Sequence, residues 1–387
     1  MAKPIYLDYH ATTPVDPRVL ELMLPYFTEK FGNSASKQHA YGWEAQKAVD
    51  VAREQVAALI GATAGEIVFT SGASESNNLA IKGTACALRE RGRHLITAVT
   101  EHKSVLDSFN RLEKDGWAVT RLGVDSQGFV DLDELARSIT DQTVLISVMA
   151  ANNEIGTVQH LAKIGAIARE RDVLFHTDAA QAAGKVPIDV RADNVDLLAL
   201  TGHKYYGPKG AGALFIRRSR PRLAVQAQID GGGHESGFRS GTLNVPGIVG
   251  LGAAAEICRT EMPAESVRMR TLRDRLHASL QRELSNVRLN GAVGDRRLPH
   301  NLHVSFDDVE GERLLMALGD LAVSTGSACS SGSEKPSHVL EAIGATCRPG
   351  ASIRFGLGRW TTEEEIDAAA ERVVKVVRSL GVAGARP

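Results

Sequence analysis

The chain has 387 residues, 43% of them hydrophobic, which allows one large or two moderate domains with a hydrophobic core. Its formal net charge of -1 argues against nucleic acid or an anionic membrane as a direct partner. Its 4 scattered cysteines predict no disulfide framework, and no run approaches the ~18 apolar residues of a membrane span. We therefore expect a cytoplasmic protein with free thiols and no signal segment.

The first ~60 residues predict irregular structure followed by helices that end at glycines. Strand and helix candidates alternate after that point. The strand candidates, in chain order, are EIVFT, HLITAV, AVTRLGV, TVLISVMAA, VLFHT, VDLLALT and GALFIRR. They are short and apolar throughout, as are strands that helices cover on both faces. The alternation predicts an α/β fold with a largely parallel sheet.

From about Val245 the pattern is mixed, which suits a smaller α+β domain. A long helical stretch meets Pro263 and resumes after it, and strands and helices no longer alternate strictly. The last helix opens with Thr361 three residues before Glu364, which is the spacing of a capping box.

Ionisable residues that suggest chemistry lie at or just after the ends of two strand candidates. Asp178 closes one strand, and Thr201 closes the next, followed by His203 and Lys204. Ligands of open α/β sheets bind at the carboxyl ends of strands, so a carboxylate and a lysine are expected in one cleft. A lysine there can form a Schiff base with a carbonyl cofactor, and a carboxylate can pair with a protonated pyridine nitrogen. A capping aspartate and a solvated lysine remain the alternative.

Three further stretches have both a functional and a structural interpretation. Ser71–Ser74 joins a strand to a helix and suits either a phosphate site or a simple N-cap. His102 follows a strand, where it can stack on a planar ring or serve as an ordinary hydrogen-bonding residue. Arg354 lies among apolar neighbours and needs an anion, either a substrate carboxylate near Asn153 or a structural ion pair.

The cysteines differ in their sequence surroundings. Cys329 lies in STGSACSSGSEKP, a segment with few side chains that could bury a thiol. Cys86 and Cys258 fall in helical patterns and are expected to be buried small hydrophobes. Cys347, in GATCRPG, is expected to be exposed.

A series of motifs follows in order along nearly the whole chain. They are IYLDYHATTP, FTSGASESNN, TEHKSV, NNEIGTVQ, HTDAAQAAGK, TGHKYYGPKG, GGGHESGFRSGT and STGSACSSGSEKPSHVL. Together they resemble the NifS/IscS-type cysteine desulfurases, which form part of the class V aminotransferase-like branch of pyridoxal-phosphate enzymes. The resemblance implies the pyridoxal-phosphate fold type I, with a mostly parallel seven-stranded sheet flanked by helices. It also implies a large domain over 15–260 and a small α+β domain over 1–14 and 261–387, which carries the catalytic loop at about 324–336.

The resemblance implies a role for each matching residue. Lys204 would carry pyridoxal phosphate covalently, Asp178 would pair with its pyridine nitrogen, His102 would stack on the ring and Gln181 would bind the phenolic oxygen. The phosphate would be held by Ala73, Ser74, Thr201, His203 and, from the neighbouring subunit of a homodimer, Thr242. Asn153 and Arg354 would hold the carboxylate of the substrate, L-cysteine.

The resemblance also explains the sparse surroundings of Cys329. Its thiolate would attack the substrate sulfur, keep it as a persulfide and pass it to a protein acceptor, while the substrate leaves as alanine. A Gly/Ser-rich loop can move between the two tasks. His102 is a candidate base for the thiol, Cys329 is also a candidate transient iron–sulfur ligand, and no other metal site is expected.

Two features depart from the family pattern. His10 stands where members more often have a small residue, and no role follows for it. The chain ends directly after its last helix, whereas members that feed an iron–sulfur scaffold carry a longer tail. The acceptor therefore stays open among a scaffold, transfer-RNA thiolation and other pathways. A selenocysteine lyase, an aminotransferase and a non-catalytic sulfur or cluster carrier remain as rival functions.

Overall fold

The computed structural model describes residues 3–218, 223–307, 309–325, 337–345 and 350–382. The α-helices are α1 (Pro17–Met23), α2 (Pro25–Thr28), α3 (Ala40–Leu59), α4 (Ala73–Leu88), α5 (Lys103–Lys114), α6 (Leu132–Ser138), α7 (Leu161–Glu170), α8 (Val245–Glu283), α9 (Gly311–Ala317), α10 (His338–Ala342) and α11 (Glu363–Val382). The strands are β1 (Ile5–Tyr6), β2 (Ile67–Thr70), β3 (His94–Ala98), β4 (Ala118–Leu122), β5 (Thr143–Ser147), β6 (Leu174–Asp178), β7 (Leu197–Thr201), β8 (Gly212–Ile216), β9 (Val287–Leu289), β10 (Asn301–Asp307), β11 (Leu321–Ala322) and β12 (Gly350–Gly356). Within these ranges, no helix combines the length and the apolar composition that a membrane crossing needs.

A seven-stranded sheet dominates the first two thirds of the chain. Its strand order is β2-β8-β7-β6-β5-β3-β4. Strands β3 to β7 pair in parallel, whereas β8 runs antiparallel to both β2 and β7. The predicted α/β class and the mostly parallel sheet are confirmed, and each of the seven predicted strand segments forms one of these strands.

Helices cover both faces of this sheet, which explains why its strands read as continuously apolar. Successive side chains alternate between faces, so Phe69 packs in one hydrophobic cluster and its neighbour Val68 in the other. Phe175 and Leu174 on β6 divide in the same way. Except for the edge strand β4, the strands of this sheet are buried along their whole length, and the polar groups that line the cavity lie at strand ends.

The C-terminal part of the chain forms most of a second hydrophobic core. The antiparallel strands β12-β10-β9 form its sheet, and β1 pairs with β11 in parallel. Phe306 and Phe355 on this sheet pack with Leu276 of α8 and Val373 of α11. Strands and helices do not alternate here, as the sequence pattern predicted.

Helix α8 connects the two cores. Its first half packs with the large cluster through residues such as Leu251, and its second half joins the second core through Leu272 and Leu276. The helix runs unbroken through Pro263, so the interruption that the sequence suggested is absent. Packing on both sides compensates for the backbone hydrogen bond that a proline cannot donate.

The capping box of α11 forms one residue later than predicted. Thr362 Oγ1 accepts from the Glu365 N–H at 3.2 Å, and a Glu365 carboxylate oxygen accepts from the Thr362 N–H at 3.1 Å. The hydroxyl of Thr361 instead accepts from the Gly358 N–H at 2.9 Å. The hydroxyl of Thr361 is engaged in the buried turn before the helix, so Thr362 serves as the N-cap.

Candidate active site

A cavity of about 580 Å³ opens at the carboxyl ends of the central strands. This volume falls in the range of small-molecule sites. Of the predicted site residues that the structure describes, all except Thr242 line it. They are Ala73, Ser74, His102, Asn153, Asp178, Gln181, Thr201, His203, Lys204 and Arg354. The topology of the sheet thus gathers residues that lie up to 281 positions apart in the chain, from 73 to 354.

Asp178 ends β6 and is buried at the cavity wall. One of its carboxylate oxygens accepts from Asn77 Nδ2 at 2.7 Å, and the other accepts from the Ala180 N–H at 2.9 Å. Asn77 Nδ2 also lies 2.9 Å from Ser104 Oγ. A buried carboxylate requires such donors, and these bonds fix its orientation toward the cavity.

Lys204 closes a short 3₁₀ turn, Gly202–Lys204, directly after β7. Its Nζ donates to the carbonyl oxygens of His10 and Ala11, the latter at 2.9 Å. These carbonyls belong to the N-terminal segment, so the lysine amine is held between two distant parts of the chain.

The N-terminus of α4 reaches the cavity through Ser71–Glu75. Gly72 precedes the helix with a φ of 153°, a backbone conformation that favours glycine. The neighbouring Gly212 allows the close approach, since a Cβ there would lie 2.5 Å from Gly72 Cα. Helix N-termini present free N–H groups and a positive dipole end, both of which suit a phosphate.

His102 is the N-cap of α5. Its Nδ1 accepts from the Ser104 N–H at 3.1 Å, and Ser104 Oγ lies 2.8 Å from the same atom. A backbone N–H can only donate, so the neutral ring carries its proton on Nε2. Burial lowers the pKa of the nearby His203 to about 4, with a further contribution from Lys204.

Arg354 enters the cavity from β12 and is 3% exposed. It donates to Asp8 Oδ1 at 2.9 Å and to the backbone oxygen of Asn153 at 2.9 Å. Its Nε has no hydrogen-bond partner among the described residues. The structural ion pair that the sequence left open is therefore present, and the same guanidinium also lines the cavity.

Sequence reasoning gave no role to two residues of this region. Asn77 lies one turn after Ala73 on the buried side of α4. Residues four positions apart share one face of a helix, so the spacing from Ala73, a predicted phosphate ligand, could have indicated that Asn77 faces the site. His10 contacts Gln181, with its Nδ1 3.0 Å from Gln181 Oε1. Only the tertiary structure brings His10 and Gln181 together, because they lie 171 positions apart in the chain.

The structure describes two of the four cysteines, together with Thr242. Cys329 and Cys347 lie outside the described residues. The prediction of a buried Cys86 is wrong, because this thiol is exposed and donates to Gln226 Oε1 at 2.7 Å, whereas Cys258 is buried as expected. Thr242 is exposed and does not line the cavity of its own chain.

The cavity fits pyridoxal phosphate by the chemistry of its walls. A helix N-terminus suits the phosphate, the buried Asp178 suits a protonated ring nitrogen, and Lys204 suits the aldehyde carbon. The three features come from α4, β6 and the turn after β7, which meet at the same edge of the sheet.

Comparisons with known proteins identify the family of this chain. The Aminotransferase class-V family model matches residues 5–369. The chain is 57% identical over 381 residues to a "Cysteine desulfurase IscS" of Anaeromyxobacter sp. (strain K), covering 98% of this chain and 94% of that one. It is 54% identical to a protein of the same name from Klebsiella pneumoniae, covering 98% and 94%.

Solved structures give the same assignment. A "NIFS-LIKE PROTEIN" aligns with a TM-score of 0.90 and 37% identity, covering 97% of this chain and 100% of that one. "SspA in complex with cysteine" aligns with a TM-score of 0.81 and 40% identity, covering 92% and 100%. The chain therefore belongs to the class-V aminotransferase family, in the branch of the cysteine desulfurases. Enzymes of this branch depend on pyridoxal phosphate.

Proposed function

We propose that this protein transfers the sulfur of L-cysteine to Cys329 with the help of pyridoxal phosphate. In the overall reaction, the carbon–sulfur bond of the substrate breaks and a sulfur–sulfur bond forms on Cys329. The thiol proton and the electron pair of the broken bond end on the carbon, so L-alanine leaves and Cys329 holds a persulfide. No external oxidant is needed. The observation that supports this most is the convergence of Lys204, Asp178, His102 and the α4 N-terminus on one cavity.

Each wall of the cavity has an assigned task in this proposal. Ala73, Ser74, Thr201 and His203 bind the phosphate at the α4 N-terminus, and Asp178 pairs with the ring nitrogen. His102 stacks on the ring, and Gln181 donates to its phenolic oxygen. When bound, the cofactor supplies an electron sink next to the substrate Cα.

Arg354 and Asn153 hold the substrate carboxylate. Arg354 keeps an ion pair with Asp8 at 2.9 Å, which fixes the guanidinium plane, while its Nε side is free of hydrogen bonds to the described residues. A planar guanidinium suits a carboxylate, because two parallel N–H groups can face its two oxygens.

Lys204 moves the proton at the substrate Cα. Its amine lies beside the carbonyl oxygens of His10 and Ala11, which accept hydrogen bonds and keep the amine near the cavity. Cys329 must act as a thiolate, and His102 is the candidate group to take the thiol proton. In the tautomer that carries its proton on Nε2, the atom that would take the thiol proton is Nδ1, which lies 2.8 Å from Ser104 Oγ.

The proposal extends to the division of the chain. Residues 15–260 form the large cofactor-binding domain, and residues 1–14 and 261–387 form the small domain that carries the segment at about 324–336. The two hydrophobic cores support this division.

The test is to incubate the purified protein with L-cysteine and measure alanine together with the mass of Cys329 without reductant. We expect alanine and a one-sulfur mass gain, both lost in Cys329→Ala. Cys86→Ala is the matched control, because this exposed thiol lies outside the cavity and its loss leaves alanine formation unchanged.

Other outcomes would select a rival. A cofactor-loaded protein that forms no alanine would contradict the substrate and point to amino-group transfer or to selenocysteine. Unchanged activity in Cys329→Ala would contradict the thiol mechanism. A protein that never binds the cofactor would favour a sulfur or cluster carrier.

The active unit of the proposal is a homodimer in which Thr242 reaches the phosphate of the neighbouring subunit. Thr242 does not line the cavity of its own chain. Exposed large apolar side chains also concentrate in one part of the chain, at Leu20, Leu22, Leu24, Phe27, Phe31, Tyr41 and Trp43. Such a concentration is unusual on a monomer, and a second copy of this chain is the occupant that the shared site requires.

Mixed dimers test the shared site. A subunit with Thr242→Ala and a subunit with Lys204→Ala are each expected to be impaired as homodimers. Mixing and refolding them creates one complete site if Thr242 acts across the interface, so activity returns to about a quarter of the wild-type value. No recovery, together with wild-type affinity for pyridoxal phosphate in Thr242→Ala, would contradict the shared site.

The protein acceptor of the persulfide and the cytoplasmic location are the remaining parts of the proposal. The acceptor is a thiol-bearing sulfur carrier or an iron–sulfur scaffold, and Cys329 is the group that would contact it.

A further inference from the structure

His10 lies at the centre of a buried chain of hydrogen bonds that ends at the cavity. Its ring contacts Gln181 on one side and Asn301 on the other, with Nδ1 3.0 Å from Gln181 Oε1 and Nε2 3.1 Å from Asn301 Nδ2. Asn301 in turn contacts Arg297. All four side chains are buried, with exposed fractions of 7% or less. In such a chain, the donor–acceptor direction of each hydrogen bond depends on the direction of the neighbouring hydrogen bond.

The orientation of Asn301 is fixed from the outside. Its Oδ1 accepts from an Arg297 guanidinium N–H at 2.6 Å, and its Nδ2 donates to the backbone oxygen of Glu154 at 2.9 Å. Guanidinium can only donate and a carbonyl oxygen can only accept. The reversed amide would therefore place two donors together and two acceptors together, so Nδ2 must be the atom that faces His10.

The orientation of Asn301 decides the protonation of His10. Because Asn301 Nδ2 is a donor, His10 Nε2 must accept, and the ring carries its proton on Nδ1. A protonated imidazolium would set two donors against each other at 3.1 Å. Burial, aided by Arg354, Lys204 and Lys185, lowers the pKa of His10 well below its ordinary value, which agrees with a neutral ring.

The ring of His10 is also confined by packing. It stacks on His300 with the ring centres 4.3 Å apart. Its Cδ2 edge lies against Gly356, where a Cβ would come within 2.8 Å of the ring carbon. A ring held on its face and on its edge keeps its two nitrogens directed at Gln181 and Asn301.

His10 in turn determines which atoms Gln181 shows to the cavity. The Nδ1–H of His10 donates to Gln181 Oε1, and Gln181 Nε2 donates one hydrogen to the His10 backbone oxygen at 3.0 Å. The same backbone oxygen accepts from Lys204 Nζ. Because both ends of the amide are assigned, the second N–H of Gln181 is the group left for a ligand in the cavity.

We propose that His10 is a positioning residue for the Gln181 amide. Asn301 holds the His10 ring neutral and protonated on Nδ1, and His10 in turn fixes the Gln181 amide so that an N–H faces the bound cofactor. This inference rests on the proposed function only for the identity of the cofactor. The ligand atom that it selects is a hydrogen-bond acceptor, such as the phenolic oxygen of pyridoxal phosphate.

The tautomer can be measured without cofactor or substrate. Nitrogen-15 NMR of the histidine side chains in the apoprotein distinguishes the two neutral tautomers and the imidazolium, and the signals lost in His10→Asn identify His10 among the 12 histidines. We expect a proton on Nδ1 from pH 6 to pH 8 or so. A ring protonated on Nε2, or one that titrates near its ordinary pKa of about 6.5, would overturn the inference.

A variant of Asn301 tests the direction of the relay. Asn301→Asp replaces the donor that faces His10 with an acceptor, so the ring should gain a proton on Nε2. If the His10 signals of this variant keep the wild-type tautomer, Asn301 does not set it.

The effect on the cofactor is read from its binding and its absorbance. In His10→Leu, Gln181 loses the donor that holds its Oε1, whereas the Nδ2 of His10→Asn can replace the Nδ1–H. We expect His10→Leu to bind pyridoxal phosphate about tenfold more weakly and to shift the pH midpoint of its visible absorbance by about half a unit or more. His10→Asn should restore most of both.

His94→Leu is the matched control. His94 is a buried histidine whose two nitrogens lie 2.7 and 2.9 Å from threonine hydroxyls, at the opposite end of β3 from the cavity. The His94→Leu variant should be less stable than the wild type, but the pH midpoint of its visible absorbance should not shift. Equal shifts in His94→Leu and His10→Leu, or none in His10→Leu, would contradict the positioning role. If no cofactor binds to the wild type, the proposed function fails, and the tautomer experiment still decides whether His10 is set by Asn301.

Discussion

At the scale of single residues, buried polar side chains around the cavity support one another. Asp178 is oriented by Asn77, and Glu101 lies in the same region. Burial raises the pKa of Glu101 well above its ordinary value, and Asp178 adds to this rise. Glu101 Oε1 accepts from the Met149 N–H at 2.5 Å. Of these two acidic side chains, Asp178 is the one that lines the cavity.

Replacing Asn77 by alanine should weaken cofactor binding. Asp178 Oδ2 would lose a donor at 2.7 Å, and a hydrogen bond to a charged group contributes about 1.5 to 3 kcal/mol. The expected loss of affinity for pyridoxal phosphate is about 10- to 100-fold, measured by titrating the apoprotein. Asn78→Ala is the control, because this half-buried neighbour bonds only the backbone of Ser74 among the described residues. Equal affinities in both variants would contradict the role of Asn77.

Lys185 gives a prediction about pH. Its amine is buried 4.0 Å from the centre of the Tyr206 ring, and burial lowers its pKa to about 8 from the ordinary 10.5. Between these values the unfolded chain holds more protons than the folded one, so the free energy of unfolding rises with pH. Relative to Lys185→Met, the wild type should gain about 1 to 2 kcal/mol from pH 7.5 to 9.5, measured by denaturant unfolding. Parallel pH curves for the two proteins would show that Lys185 titrates normally.

At the scale of elements, an ion pair holds the segment that leads to Thr242. Glu235 has a φ of 50°, and its carboxylate accepts from Arg53 at 2.7 Å and from the Phe69 N–H of β2 at 2.7 Å. The carboxylate is 2% exposed. The edge of β2, which continues into the α4 N-terminus, is thereby connected to the 3₁₀ turn Glu235–Gly237.

Removing Arg53 should be costly. Arg53→Met leaves the Glu235 carboxylate buried without its cation, which typically costs about 3 to 5 kcal/mol of stability. We expect a reduced free energy of unfolding and weaker cofactor binding, since Thr242 follows this segment. Arg111→Met is the control: its pair with Asp115 is exposed at 67% and 48%, and such pairs contribute about 1 kcal/mol or less. Comparable losses in the two variants would mean that burial does not strengthen the Arg53 pair.

At the scale of the whole molecule, α8 makes the two cores one cooperative unit. It contributes Leu251 to one core and Leu276 to the other without a break. Unfolding either core removes packing from the same helix, so the two should melt together. Calorimetry of the apoprotein at fixed concentration should give one transition with equal calorimetric and van't Hoff enthalpies. Two resolved transitions would show that the cores are independent.

Much of the fold was predictable because its signals are local. Each β-strand of the main sheet is a short apolar run, and the helices between them have a clear period. The rule that ligands bind at the carboxyl ends of strands brought Asp178, Lys204 and His102 together in the prediction. The exposure of Cys86 was not predictable in this way, because helical periodicity alone does not say which face meets another element.

The sequence by itself determined the α/β class and the positions of the strands, since propensity and periodicity act between near neighbours. The residues that line the cavity were predicted through the resemblance of the sequence motifs to a known family. The tertiary structure alone decided which Thr caps α11, which thiol is buried and which nitrogen of His10 carries the proton. The last of these depends on Asn301, 291 positions away in the chain. Hydrogen bonds between distant segments are set by the packing that brings the segments together, so no local pattern encodes their direction.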